Sequence, residues 1–226
     1  MLYEFCAENF TDIPAAIAAG AQRIELCDNL AVGGTSPSYG VTAAAVEYAH
    51  AHGARIMFMV RPRKGDFVYS GIELAMMKRD AQIAVGLGVD GIVLGCLKGV
   101  PERYVLDMEA LEEVIHAASG VANSLPHRLD VTFHMAFDEL SDEEQLNAID
   151  ALSDIGVTRV LTHGGPSGTP IRDNVHRLAE LQRYAEGKLI ILPGGGITYR
   201  NRDTVARMAQ ARELHGTKIV DLFQSE

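Results

Sequence analysis

LYEFCAENFTDIPAAIAAGAQRIELC, residues 2–27, holds the pattern from which the fold follows. Leu2–Cys6 is a short β-type run. Thr11–Ala19 is an Ala-rich helix opened by a Thr N-cap and stopped by Gly20, and Arg23–Cys27 is a second β-type run. Strand, helix and strand in so short a span make a parallel unit with a crossover. The same alternation continues down the chain. Arg55–Val60, Gly91–Cys96, Leu129–His134, Thr158–Thr162, Lys188–Leu192 and Glu213–Gly216 are further strand candidates. Val41–His52, Gly71–Leu87, Asp107–Ser119, a segment from Ser141, Arg172–Glu186 and Asn201–Gln210 lie between them as helices. Eight strands in strict alternation favour a closed (β/α)8 TIM barrel, which removes the open sheet edges. A dinucleotide-binding sheet would need G-x-G-x-x-G after the first strand, and none is there. Ten residues follow Gly216, so the last helix is expected to be short or missing.

Composition agrees with one barrel spanning residues 1–226. The 226 residues are 47% hydrophobic and 22% charged, enough for a large core and against disorder. The formal charge of −10 and the lack of a basic run disfavour nucleic acid as a partner. Three cysteines without C-x-x-C indicate a reduced compartment, and neither a signal peptide nor a membrane-length apolar run is visible. The expectation is a soluble, cytoplasmic protein.

Alternation within the strands sorts side chains by face. Glu4 and Cys6 oppose Tyr3 and Phe5; Arg23, Glu25 and Cys27 oppose Ile24 and Leu26; Asp130, Thr132 and His134 oppose Leu129, Val131 and Phe133. The apolar sets suit the layer beneath the helices, which sends the polar sets into the barrel. A lumen this polar is either a satisfied ion-pair network, with Arg61 and Arg63 neutralising Glu4 and Glu25, or a ligand site at the strand C-termini.

Cys6, Cys27 and Cys96 fall at strand C-terminal ends, the first two on neighbouring strands about 5 Å apart. Thiolates select Cu(I) or zinc, and His134 can add an imidazole, giving Cys6, Cys27 and His134 as candidate metal ligands. The plainer reading is three small buried residues. In the loop from Arg61 to Phe67, Arg61, Arg63 and Asp66 are candidate ligand contacts, with forked cations suited to carboxylate or phosphate. Gly194, Gly195 and Gly196 follow the seventh strand, where barrels often hold a phosphate on backbone N–H groups.

Taken together, Glu4-Phe5-Cys6, Arg23-Ile24-Glu25-Leu26-Cys27, Gly33-Gly34 with Pro37-Ser38, Arg61-Pro62-Arg63 with Gly65-Asp66-Phe67, Thr132-Phe133-His134 with Ala136-Phe137-Asp138, and Pro193-Gly194-Gly195-Gly196 follow an order that resembles the CutC-type copper homeostasis proteins. The resemblance covers almost the whole chain. It implies a cytoplasmic TIM barrel tied to copper handling, often oligomeric, here a homodimer. It also implies a pocket more like an enzyme's than a carrier's. The sequence departs from the family pattern at Met135, usually Arg, at His163, usually Ser, and in ending at Glu226. His163 is expected to place a second imidazole near His134.

Two functions follow. One is Cu(I) binding at the barrel mouth. The other is a lyase, isomerase or hydrolase acting on a phosphate- or carboxylate-bearing molecule, with Glu4, Glu25 or His134 moving protons.

Overall fold

A computed structural model describes residues 1–122, 128–166 and 168–223. Eight parallel strands form one sheet in the order β10-β1-β2-β3-β4-β7-β8-β9. They are β1 (Leu2–Glu8), β2 (Arg23–Cys27), β3 (Arg55–Met59), β4 (Gly91–Leu94), β7 (Asp130–Phe133), β8 (Arg159–Thr162), β9 (Ile190–Pro193) and β10 (Glu213–Gly216). β9 and β10 pack against each other, so the sheet curls into the nearly closed (β/α)8 barrel that the alternation predicts. Helices α1 (Ile13–Ala18), α2 (Tyr39–Ala51), α3 (Gly71–Gly86), α4 (Met108–Ser119), α5 (Asp142–Asp154), α6 (Ile171–Tyr184) and α7 (Arg202–Ala209) fill the intervals. No helix follows β10 among the described residues. None of the helices is long and apolar enough to cross a membrane.

Local chemistry sets the helix ends. Ser70 and Glu73 form a reciprocal capping box on α3, while Ser38, Asp107 and Ser141 accept backbone N–H bonds at the starts of α2, α4 and α5. The first helix differs from its sequence reading. Asp12, not Thr11, occupies the N-cap, and no side chain caps the end; Pro14 in the first turn has no N–H to leave orphaned. A short antiparallel hairpin, β5 (Leu97–Lys98) with β6 (Val105–Leu106), interrupts the β4-to-α4 connection and was invisible to a period-based reading. It turns at Gly99 with φ +110°, where a Cβ would meet the Arg103 carbonyl at 2.4 Å.

Parallel register puts residues on one face in line around the barrel. Phe5, Ile24, Ile56, Ile92 and Val131 share the outer face, where with Val160, Ile191 and Leu214 they form the layer beneath the helices. Cys6, Glu25, Met57, Gly91 and Asp130 align on the inner face. Gly91 is required there, since a Cβ would lie 2.4 Å from Met57 Cε and 2.5 Å from the Asp130 carbonyl.

Candidate functional site

The lumen has two levels. At the lower level Arg23, 1% exposed, binds Glu4 through Nε and Glu213 through Nη2 at 2.5 Å. Arg159 extends the network to Glu213 at 3.3 Å and Asp130 at 3.0 Å. Every large charge there has an opposite neighbour, as burial demands. Burial alone would raise Glu4, but Arg23 and then His215 hold it far below the usual carboxylate range. The polar lumen is therefore in part the ion-pair network the faces predict, with different partners. Arg23 and His215 neutralise Glu4; Arg61 and Arg63 do not, because they sit at the upper end of β3, beyond reach.

The upper level is a cavity of about 580 Å³ whose lining includes Cys6, Glu25, Met59, Arg61, His134 and His215. His215 Nδ1 lies 2.9 Å from Glu4 Oε1, and its Nε2 lies 3.7 Å from Glu25 Oε2. Burial opposes charge on this ring, yet Glu25, Cys6 and Glu4 together raise it well above the ordinary imidazole value. The Glu25 carboxyl is pushed up chiefly by burial, and its Oε1 has no hydrogen-bond partner. Cys6 Sγ stands 3.2 Å from Glu25 Oε2, and Cys27 Sγ stands 3.6 Å from the same oxygen. The neighbouring Cys27 thiol outweighs burial and lowers Cys6, while Cys6 together with burial raises Cys27, so Cys6 is the more acidic of the two. Met57 and Met59 pack with both cysteines in one buried inner cluster. Two thiols and a carboxylate therefore gather within 4.8 Å of one another beside two thioethers.

The CutC family model matches residues 1–220. The chain belongs to the CutC family. A CutC family protein from Enterococcus faecalis is 55% identical over 220 residues, covering 97% of this chain and all of that one. One from Streptococcus pyogenes is 44% identical over the same length. The crystal structure of CutC from Streptococcus agalactiae, a protein named for copper homeostasis, overlays with a TM-score of 0.90 at 41% identity, covering 97% of this chain and 100% of that one. A deoxyribose phosphate aldolase from Aeropyrum pernix overlays at 0.68 with 13% identity, which is a likeness of fold alone.

Within this CutC-family barrel the expected residues separate into groups. Cys6 and Cys27 meet, but Glu25, not His134, completes their cluster. Cys96 belongs to the outer core, away from both, and burial pushes its thiol up to about 12. Glu4 is locked in the lower network, so it has no free oxygen for proton transfer to a ligand. Arg63 binds Glu73 and, at 3.0 Å, Asp66, and neither Arg63 nor Asp66 lines the cavity. Gly194 spends its N–H on Thr162 O, while Gly195 and Gly196 reach the cavity wall. His163 does not join His134: its Nδ1 faces Gly194 O at 3.1 Å and its Nε2 faces Thr169 O at 2.9 Å. His215 escaped the sequence reading, although Glu213 and His215 sit two apart in a recognised strand and share a face by the rule used for β1 and β2.

His134 follows β7 directly and caps the short turn of helix at Met135–Glu139, its Nδ1 accepting the Ala136 N–H at 3.2 Å. Gly95 makes room for its ring, because a Cβ there would lie 2.4 Å from His134 Cε1. Burial, aided by the Arg61 charge, lowers its pKa to about 3. The unfolded chain takes up this proton near the ordinary value of about 6.5, the folded chain only near 3. Stability from this group is thus complete above pH 6.5 and falls as pH drops toward 3. Urea titrations between pH 7 and 4 are expected to show a loss of a few kcal/mol that His134→Asn reduces. A variant with the wild-type pH slope contradicts this assignment.

Proposed function

We propose that this CutC-family barrel binds Cu(I) as cargo, held by Cys6 and Cys27 at the base of the mouth cavity. The carrying observation is the donor set: two adjacent thiols, one of them the more acidic, with Met57 and Met59 sulfurs in the same buried cluster. Sulfur donors of this softness suit Cu(I) over magnesium, calcium or manganese, and two thiolates satisfy the low coordination Cu(I) accepts. The unpartnered Oε1 of Glu25 beside the thiols is consistent with a site that takes a cation. Met59 and Cys6 line the cavity, which gives the ion a route from solvent. The copper-homeostasis name of the S. agalactiae relative supports the same reading.

The test is an anaerobic titration of Cu(I) into the reduced protein against a chromophoric chelator. One equivalent withdrawn from the chelator, with sulfur scatterers in the copper X-ray absorption spectrum, is the expected result. No withdrawal, or a shell of nitrogen and oxygen only, removes the assignment.

A further inference from the structure

Arg61 is 5% exposed, lines the cavity, and forms no ion pair among the described residues. Its partners are the carbonyls of Val32 at 3.1 Å and Gly34 at 3.0 Å on Nη1, and of Gly65 at 2.9 Å on Nη2. These carbonyls aim the guanidinium without neutralising it, and Nε has no partner at all. Of the five N–H donors of a guanidinium, Nε–H and one Nη2–H remain unspent. Nε and Nη2 are neighbours on one edge of the planar guanidinium, the edge that carboxylates and phosphates engage. A buried cation without a counter-ion is costly, and the lower network shows that this chain otherwise pairs its buried charges.

His134 stands beside it. Because Nδ1 accepts the Ala136 N–H, the neutral ring carries its proton on Nε2, and that buried donor also has no acceptor. An N–H cannot ligate a metal; it asks for an anion or a carbonyl. Phe67 holds the two groups together, with the Arg61 guanidinium 5.0 Å and the His134 ring 4.8 Å from its ring centre. Across the cavity Gly195 and Gly196, at φ +79° and +73°, keep N–H groups with no acceptor among the described residues, and Lys218 adds a cation to the wall. A net charge of −10 opposes an anion at long range, but screening weakens distant charges and spares contacts inside a pocket.

We infer that the mouth cavity binds a small carboxylate- or phosphate-bearing molecule, its anionic group held by the unspent donors of Arg61 and His134. Its donors are different from those of the thiol cluster, which opens into the same cavity, and none of them is a ligand for copper. The cavity volume suits a small metabolite.

Calorimetry with inorganic phosphate and with malonate, in separate arms, tests the site and distinguishes the two chemistries. At least one anion is expected to bind the wild type and to shift the His134 Nε2–H resonance in nitrogen-edited NMR. His134→Asn keeps an acceptor for the Ala136 N–H but removes the Nε2 donor, and should weaken binding about tenfold or more. Arg61→Lys should do the same, because the planar fork is lost while the charge is kept. If that variant fails to fold for want of its three carbonyl contacts, His134→Asn decides. Both arms use reduced protein without copper, so failure of the copper assignment leaves this one standing. No binding of either anion at about 10 mM overturns the proposal. So does unchanged affinity in His134→Asn.

Discussion

Replacing Cys6 or Cys27 by serine is expected to weaken Cu(I) binding by more than about a hundredfold, beyond the 10–100-fold typical of losing an outer partner of a metal ligand. Both thiols sit against Glu25 Oε2, and neither has a substitute sulfur of equal donor strength, since Met57 and Met59 offer only neutral thioethers. Serine keeps the size of the side chain within one atom but supplies a hard oxygen. The third cysteine serves as an internal control. Cys96 lies in the outer core, where burial holds its thiol protonated, and Cys96→Ser should leave copper affinity unchanged. Gly34 bears on the same site, for a Cβ at its φ of +84° would lie 3.1 Å from Cys27 Sγ. Chelator competition under reducing, anaerobic conditions on all three serine variants reads the effect. Tight binding that survives in both Cys6→Ser and Cys27→Ser would place the copper elsewhere.

Arg23→Met is expected to cost about 3–5 kcal/mol of folding stability, the loss of one partner from a buried ion pair. Methionine fills much of the space, so the cost is electrostatic: Glu4, fully buried, is left with His215, and Glu213 with Arg159. The second substitution Glu4→Gln should recover part of that loss, because it removes the carboxylate that Arg23 was neutralising. Urea denaturation of the two single variants and the double variant measures the coupling. A single-variant loss below about 1 kcal/mol, or no recovery in the double variant, would mean that the lower network is not what holds the barrel interior.

The fold was legible because it depends on short-range periodicity. Each β-type run and each capped helix could be read inside its own few residues, and their strict alternation leaves few ways to close a sheet. The inward direction of Glu4, Cys6, Arg23, Glu25 and Cys27 followed from the two-residue period alone and is what the register shows. The hairpin at Leu97–Leu106 was missed, since two-residue strands carry no period to detect.

Partnership was a different matter. Sequence showed that acids and arginines share the lumen, but not that β10 closes beside β1 and brings His215 to Glu4, a contact spanning 211 positions. It placed His134 with the thiols and His163 with His134, whereas His134 spends its Nδ1 on capping the turn that follows it, outside the thiol cluster, and His163 is fixed between two carbonyls. Arg63 is drawn off by Glu73, a residue of α3 that no strand pattern connects to it. The sequence by itself determined the barrel, the face of each strand residue and the presence of soft and charged donors near its mouth. Tertiary structure alone decided which donors meet and which stay unpartnered. Periodicity is a property of neighbours along the chain, while pairing depends on distances across the barrel that only its closure sets.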